Sequence, residues 1–188
     1  MELFDALNKR HSLRAFKTDP VSREKLDKLM EAASLAPSSM NEQPWRFFIS
    51  TGESRREIGE ILARNTAHVQ EYLDVMGIKA EEHAERWFAE LGDAPVVIAC
   101  AVPRGDDDFA LLNKHLAMGC AIQNIMLAAT DIGVAVCPIT FAYWVRDDLG
   151  EALGIPDDLD VVLILAVGFP AAEPKTTARN KDIAVYRD

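Results

Sequence analysis

Apolar and polar residues alternate along this chain at two different periods, which predicts a mixture of helices and strands. Helical spacing of apolar residues is found in five segments, at 3–9, 22–35, 54–91, 109–132 and 145–153. Ser22 is a favourable N-cap for the second of these segments. Pro37 ends that helix, because the residue before a proline avoids helical backbone angles.

Four shorter runs have the composition of strands, at 45–51, 94–102, 134–139 and 161–168. The second and fourth are apolar at almost every position, as expected of strands that are buried on both faces. Helices and strands mix along the chain without a linker or an internal repeat. We therefore expect a single domain over 1–188, with a βαβ-like central sheet covered by helices. The tail, 169–188, has no clear periodicity.

The section 115–129 of the long helix is apolar nearly all round, which predicts burial on every side. In a chain of 188 residues, this places the section either at the centre of the domain or in a subunit interface. Gln123 and Asn124 interrupt it, and polar groups there need partners. They either contact a ligand or bind neighbouring backbone.

Composition excludes several classes of protein. The chain is 49% hydrophobic, enough for a sizeable core, and no apolar run reaches the length of a membrane span. The N-terminal residues lack the features of a signal peptide, so we expect a cytoplasmic protein that does not act at a membrane. A net charge of −10 argues against a nucleic-acid partner, which needs a basic surface.

No metal site is predicted. Cys100, Cys120 and Cys137 lack the spacing of metal ligands, and each lies in an apolar segment, so we expect small buried side chains. The four histidines also lack the spacing of a zinc site. A Gly-rich phosphate loop and a GxSxG motif are both missing from the sequence.

The charge is distributed unevenly. Residues 1–30 contain seven Lys/Arg and five Asp/Glu, and residues 171–188 contain four and three. The middle, 31–170, contains nine and 22. The two locally positive ends form one small anion site if they meet in the fold, and scattered surface charge if they do not.

Arg10, Ser12 and Arg14 occupy alternate positions, and alternate residues of an extended chain lie on one face. Three such donors can bind a phosphate, and an arginine binds it through two hydrogen bonds. The alternative interpretation is a solvated basic turn.

A loop bounded by Pro37 and Pro44 carries hydroxyl and amide side chains at Ser38, Ser39 and Asn41. Such groups can bind the edge of a heterocycle, although the loop that follows a helix often has this composition. Together, the two stretches fit a nucleotide-like cofactor better than a metal or a nucleic acid.

Four motifs, in order along nearly the whole chain, carry a resemblance to a known family. They are Arg-His-Ser-Leu-Arg-Ala-Phe at 10–16, Ala-Pro-Ser-Ser-Met-Asn-Glu-Gln-Pro-Trp-Arg-Phe at 36–47, Gly-Cys-Ala-Ile-Gln-Asn-Ile-Met-Leu-Ala-Ala at 119–129 and Gly-Phe-Pro at 168–170. With these motifs the chain resembles the nitroreductase family of flavoproteins.

The resemblance implies an α+β fold, an α/β/α sandwich in which helices flank a central mixed sheet. It also implies an intertwined homodimer that binds FMN at its interface. In that arrangement 169–188 crosses to the partner subunit and 115–129 forms the dimer core. The segment 54–91 is a helical excursion that can cover the active site.

The resemblance also assigns cofactor contacts to three groups of residues. The FMN phosphate and the ribityl chain or pyrimidine edge are assigned to Arg10, Ser12 and Arg14, with Lys175 and Arg179 approaching the phosphate. The isoalloxazine ring is assigned to Pro37, Ser38, Ser39 and Asn41. The region near flavin N5 is assigned to Pro138, Ile139 and Thr140. His11 belongs to the first stretch and is counted among the cofactor-binding positions without an assigned contact.

The implied activity is ping-pong hydride transfer from NAD(P)H, through FMN N5, to a nitroaromatic, quinone or enone acceptor. The cofactor supplies the chemistry, so no side chain is assigned as a catalytic acid or base. Two alternatives are a non-catalytic flavin-binding or sensing protein and a specialised flavin enzyme of the same fold, such as a dehalogenase or a flavin-destroying oxygenase.

The chain departs from the family pattern after Pro138 and Ile139. Thr140 and Phe141 stand where many members have Glu-Gly, so a backbone N–H can still reach N5 but a carboxylate cannot. Trp87 and Phe88 either shape the acceptor pocket or belong to the core.

Overall fold

The computed structural model describes residues 1–64, 81–105, 107–174 and 178–187, with the backbone alone for 81–85. The helices of this part are α1 (Leu3–Lys9), α2 (Arg23–Ser34), α3 (Gly52–Ala63), α4 (Glu81–Glu90), α5 (Asp108–Asp131) and α6 (Arg146–Ala152). All five predicted helical segments therefore contain helix. The predicted segment 54–91 includes most of α3 and all of α4, and its residues 65–80 lie outside the described residues.

The sheet is built from strands β1 (Phe16–Lys17), β2 (Arg46–Thr51), β3 (Val96–Pro103), β4 (Ala135–Ile139) and β5 (Leu159–Pro170). β5 is the central strand. β3 pairs with one edge of β5 and in turn with β2, while β4 and then β1 pair with the other edge. The four predicted strands are confirmed, and the short β1 was not expected.

All pairs of named strands are antiparallel, which corrects the expectation of βαβ pairing. β3 and β4 are both antiparallel to β5, so they run parallel to each other and α5 connects them, but β5 lies between them. The parallel contact among the described residues is a single bridge between Ser12 and Val136.

The side chains of the sheet divide the core into two layers. Val96, Ile98 and Cys100 of β3 face one layer, which contains the buried residues of α2 and α5. Val97 and Ala99 face the other, which contains those of α3 and α6 together with Phe88 of α4. Alternate residues of a strand point to opposite faces, so helices cover both. This arrangement confirms the α+β fold and its α/β/α layers.

The helix α2 has the predicted N-cap. The hydroxyl oxygen of Ser22 accepts a hydrogen bond from the backbone N–H of Lys25 at 3.4 Å, which satisfies one of the free donors at the start of the helix. Leu26, Leu29 and Ala33 are buried in the layer that also contains α5. The N-cap and the apolar spacing together explain why the sequence predicted this helix correctly.

The long helix α5 excludes one of the two places predicted for its apolar section, the centre of the domain. Its inner face, which includes Ala121 and Ile125, is buried, but Leu116 is 60% exposed and Cys120 is also exposed. The helix belongs to an outer layer, so only one face contacts its own chain. Burial of every cysteine was therefore wrong for Cys120. Asn124 donates a hydrogen bond to the carbonyl oxygen of Ala32 at 3.1 Å, as the backbone-binding interpretation predicts.

Within the described ranges, no helix is both long enough and apolar enough to cross a membrane. The described end of the tail, 178–187, contains neither helix nor strand, and its side chains are exposed.

Candidate functional site

A groove of about 490 Å³ lies where the two ends of the chain meet. Arg10, His11, Ser12 and Arg14 line one side, and Arg179 of the tail lines the other. Five of the predicted cofactor-binding residues therefore come together, three of them with guanidinium groups. Among the described residues that line the groove, Glu173 is the one acid. The predicted meeting of the basic ends is confirmed for Arg179, while Lys175 lies outside the described residues.

The backbone from Arg10 to Lys17 is bound to the rest of the chain at several points. Arg10 ends α1, and its N–H donates to the carbonyl oxygen of Ala6 at 2.9 Å. Ser12 forms the bridge to Val136 in β4. β1 then pairs with the end of β5. These contacts hold the backbone on both sides of Arg14.

Arg14 is also bound by a side chain of α4. The indole Nε1 of Trp87 donates a hydrogen bond to the carbonyl oxygen of Arg14 at 2.7 Å. Phe88, the next residue, is buried in the core. The core interpretation is therefore confirmed for Phe88, whereas Trp87 contacts the groove-lining backbone. The sequence did not predict this contact, because nothing in the residues around a tryptophan indicates which distant acceptor its indole N–H will bind.

Pro138, Ile139 and Thr140 lie at the end of β4, the strand that Ser12 bridges. Pro138 and Ile139 end β4, and Thr140 begins a 3-10 turn that ends at Val145. Just before them, burial raises the pKa of the Cys137 thiol, and the positive charge of Arg14 opposes that rise. Arg14 therefore acts electrostatically on this strand, although none of the three residues is among the described lining of the groove.

The loop from Pro37 to Gln43 does not line the groove. It contains a 3-10 turn at Ser39–Asn41, and Ser38 accepts a hydrogen bond from the backbone N–H of Gln43 at 3.0 Å. The hydroxyl proton of Ser38 is not used in that bond. The predicted residues Pro37, Ser38, Ser39 and Asn41 therefore form a separate group within one chain.

Three residues of that loop adopt left-handed backbone angles. Met40 has φ 48°, Asn41 has φ 58° and Gln43 has φ 49°. This region is unfavourable for residues other than glycine, and such strain is found most often at functional sites. Met40 is also 93% exposed, so the loop displays a large apolar side chain beside its hydroxyl groups.

A second groove of about 420 Å³ adjoins the first and shares His11 and Glu173 with it. Its lining adds Lys9 and Lys17, which the sequence analysis did not select. Lys17 is out of phase with Ser12 and Arg14, and shares the odd-numbered positions with Lys9, His11 and Leu13, which line the same groove. His11 Nδ1 lies 2.7 Å from the carbonyl oxygen of Lys9, which leaves Nε2 for other contacts.

In the part of the chain that the structure describes, no group of three His, Cys, Asp or Glu side chains is positioned to bind a metal ion. The charges at the grooves are those of arginine, lysine and one glutamate. Such an arrangement suits a phosphorylated organic ligand.

Comparison with known proteins gives the family. The model of the Nitroreductase family matches residues 7–169. The nitrobenzene nitroreductase of Ectopseudomonas oleovorans is 29% identical, over 88% of this chain and 85% of that protein. The iodotyrosine deiodinase of Thermotoga neapolitana is 28% identical, over 98% of this chain and 97% of the deiodinase.

Comparison of structures agrees. The FMN and NADPH-dependent nitroreductase NfnB from Sphigopyxis sp. strain HMH superimposes with a TM-score of 0.81 at 23% identity, over 100% of both chains. At this identity the likeness concerns the fold. The family match covers the basic stretch, the serine loop, α5 and nearly all of the central strand β5. This chain therefore belongs to the nitroreductase family.

Proposed function

We propose that this chain is an FMN-dependent oxidoreductase that takes hydride from NAD(P)H and passes it to a nitroaromatic, quinone or enone acceptor. One observation carries the proposal: the groove in which Arg10, Ser12, Arg14 and Arg179 come together from the two ends of the chain. The nitroreductases among its relatives support the reaction class.

The donor set of the groove fits the phosphate and sugar chain of FMN. A phosphate monoester carries close to two negative charges at neutral pH, and the three guanidinium groups offer paired N–H donors to it. The hydroxyl of Ser12 lies in the same groove. This assigns the phosphate end of FMN to the groove, with Lys175 as a further expected contact.

When bound, FMN supplies the two-electron chemistry at N5, and the protein supplies binding, orientation and charge. The guanidinium groups of Arg10 and Arg14 stabilise negative charge that develops nearby. The segment Pro138, Ile139 and Thr140 is assigned to the neighbourhood of N5. There the backbone N–H and hydroxyl of Thr140 are the available donors. No side chain is assigned a proton-transfer role.

Pro37, Ser38, Ser39 and Asn41 are assigned to the isoalloxazine ring from a second copy of the chain. The loop does not line the groove of its own chain, and large apolar side chains are exposed on α1 and α5 at Leu3, Phe4, Leu7, Phe109, Leu112 and Leu116. Clustered exposed apolar residues are typical of interfaces. We therefore propose a homodimer with FMN between the subunits, in which the tail at Ile183, Val185 and Tyr186 contacts the partner.

NAD(P)H and the acceptor are proposed to occupy the same place in turn, in a ping-pong scheme. The test is an anaerobic stopped-flow experiment on the FMN-loaded protein with NADH and with NADPH. We expect rapid bleaching of the flavin absorbance by at least one nucleotide, followed by reoxidation with nitrobenzene or a quinone. A purified protein that stays colourless and takes up no FMN contradicts the proposal. Binding of FMN without bleaching indicates the sensing alternative.

A second candidate is a reductive dehalogenase, since the iodotyrosine deiodinase matches almost the whole chain. The same acceptor panel separates the two functions when it includes an iodinated phenol. Release of iodide at a rate comparable with nitro reduction supports the dehalogenase.

We further propose a cytoplasmic location, which suits an enzyme that uses NAD(P)H.

A further inference from the structure

We propose that Trp87 is a positioning residue for FMN, which it influences through the backbone of Arg14. The inference rests on the proposed role of Arg14 in binding the cofactor. Trp87 does not line the groove among the described residues, so it is not expected to contact the cofactor itself. Its effect is to fix the peptide unit from which the Arg14 side chain extends.

One hydrogen bond joins Trp87 to the basic stretch. The Trp87 indole donates to the Arg14 carbonyl oxygen at 2.7 Å, across a separation of 73 residues. The indole is half-buried, so its ring packs on the protein while its N–H is directed to one acceptor. An indole N–H can only donate a hydrogen bond, and here its acceptor is the Arg14 carbonyl oxygen.

The backbone at Gly92 closely approaches the same carbonyl oxygen of Arg14. Gly92, in the 3-10 turn Leu91–Asp93 that follows α4, has φ +60°. A Cβ atom built at this position collides with the Arg14 carbonyl oxygen and lies 2.8 Å from Trp87 Nε1. The helix end and its turn therefore surround one oxygen atom of the basic stretch, and only a glycine fits there.

The turn that contains Gly92 is attached to the rest of the fold by Arg55. Arg55 of α3 donates hydrogen bonds to the carbonyl oxygens of Glu90 and, at 2.8 Å, Ala94, on either side of the turn. Burial lowers the pKa of Arg55, and the carboxylates of Asp93 and Glu90 oppose that fall. A charged side chain thus binds both ends of the turn, which holds Gly92 in place.

Aromatic contacts connect Trp87 with the segment assigned to flavin N5. The rings of Trp87 and Phe88 meet edge to face with centroids 5.3 Å apart, and Phe88 meets Phe141 in the same way at 6.0 Å. Phe141 follows Thr140 directly. One row of aromatic rings therefore contacts the backbone of Arg14 at one end and the Thr140 turn at the other.

The consequence concerns orientation. The chain is bridged at Ser12 and paired with β5 from Phe16 onward. Trp87 restrains the Arg14 peptide unit between those points. A binding group is effective when its supporting contacts hold it within a narrow range of angles. Loss of the indole donor should therefore weaken FMN binding while the guanidinium group is still present.

The test compares FMN affinity, measured by quenching of flavin fluorescence, in the full-length protein and in Trp87→Phe. We expect the Kd for FMN to rise about 2- to 10-fold, the range of one neutral hydrogen bond. A second variant replaces Trp87 with 3-benzothienylalanine, which keeps the ring shape and lacks the N–H, in case phenylalanine impairs folding. Arg86→Gln is the matched control, because it removes an exposed ion pair with Glu90 on the same helix.

A double-mutant cycle with Arg14→Ala separates the possible outcomes. If Trp87 acts through Arg14, Trp87→Phe has little further effect on the Kd in the Arg14→Ala background. Equal fold-changes in both backgrounds overturn the inference, as does an unchanged Kd for both Trp87 variants while Arg14→Ala weakens binding. An unchanged Kd for Arg14→Ala alone instead overturns the proposed role of Arg14, so the two failures are distinguishable.

Discussion

Ser12 lies beside Val136 in a parallel bridge, although Ser12 comes from the start of the chain and Val136 from β4. Val136 precedes Pro138 by two positions, and the positive charge of Arg14 acts on the Cys137 thiol between them. The basic stretch and the segment that begins at Pro138 are therefore neighbours in one chain. They form one half of the proposed FMN site.

Arg14→Ala is expected to weaken FMN binding by about 1.5–3 kcal/mol, the contribution of a hydrogen bond to a charged group. The measurement is a fluorescence titration of the apoprotein with FMN. Arg23→Ala is the control, since Arg23 is an exposed arginine paired with Asp27 on α2. Equal affinities for all three proteins contradict the assignment of Arg14 to the cofactor.

Gly92→Ala is expected to destabilise the protein far more than Gly52→Ala. Both glycines have left-handed angles, with φ +60° and +58°, so both substitutions carry a similar backbone cost of roughly 1 kcal/mol. A Cβ at Gly52 meets open space, whereas one at Gly92 collides with the Arg14 carbonyl oxygen. We expect an additional loss of about 1–3 kcal/mol in the free energy of unfolding, measured in urea. Equal losses show that the turn moves freely.

The sequence predicted the elements whose own residues determine them. The apolar runs of β3 and β5 and the capped, amphipathic α2 are local patterns, and the structure has all three nearly as expected. The basic stretch with Arg10, Ser12 and Arg14 is also local, and those residues line one groove together with the residues between them. Local periodicity was sufficient for these features because each depends on residues a few positions apart.

Strand direction and helix exposure were predicted less well, since both depend on distant partners. The order β3, α5 and β4 has the sequence pattern of a βαβ unit, but β5 lies between the two strands. The apolar outer face of α5, at Leu116, has no partner within the described part of its own chain. A single sequence does not separate a buried helix from one that is completed by a second subunit.

Leu116→Arg is expected to convert the proposed dimer into monomers and to weaken FMN binding in parallel. Leu116 is 60% exposed on the apolar face of α5, where a second copy would have to desolvate the new charge. Sedimentation velocity measures the mass, and fluorescence titration measures the affinity for FMN. Glu60→Arg, on the exposed face of α3 beyond the other side of the sheet, is the control. A monomeric Leu116→Arg protein that binds FMN normally contradicts a site between subunits.

Stability is expected to fall in alkaline solution because two thiols are buried. Burial raises the pKa of Cys100 and of Cys137, while an unfolded thiol titrates near pH 8.5. Above that pH the unfolded chain releases protons that the folded chain keeps, so the unfolded state binds fewer protons and is favoured. The Cys100 thiol then contributes a loss of about 1.4 kcal/mol per pH unit.

The comparison of Cys100→Ala with the unmodified protein isolates this effect. Cys100 is buried, so its substitution should reduce the slope of unfolding free energy against pH between about pH 8.5 and 10. The slope is measured by urea denaturation at several pH values. Identical slopes for the two proteins exclude a contribution from the Cys100 thiol.

Complementation between two defective chains is expected to restore FMN binding if the site lies between subunits. One chain carries Arg14→Ala, and the other carries Ser38→Ala and Ser39→Ala. In a symmetric dimer each site combines the basic stretch of one copy with the serine loop of the other. A mixed dimer therefore has one site with both native halves and one with neither.

After equal amounts of the two chains have been unfolded and refolded together, about half of the dimers are mixed, so about a quarter of all sites are native. A titration should then show a fraction of that size with the affinity of the unmodified protein, although neither chain alone has such sites. The two chains refolded separately and then combined are the control. A refolded mixture that behaves like this control places Ser38 and Arg14 in the same subunit's site, or Ser38 outside the site altogether. Either result contradicts a cofactor shared between copies.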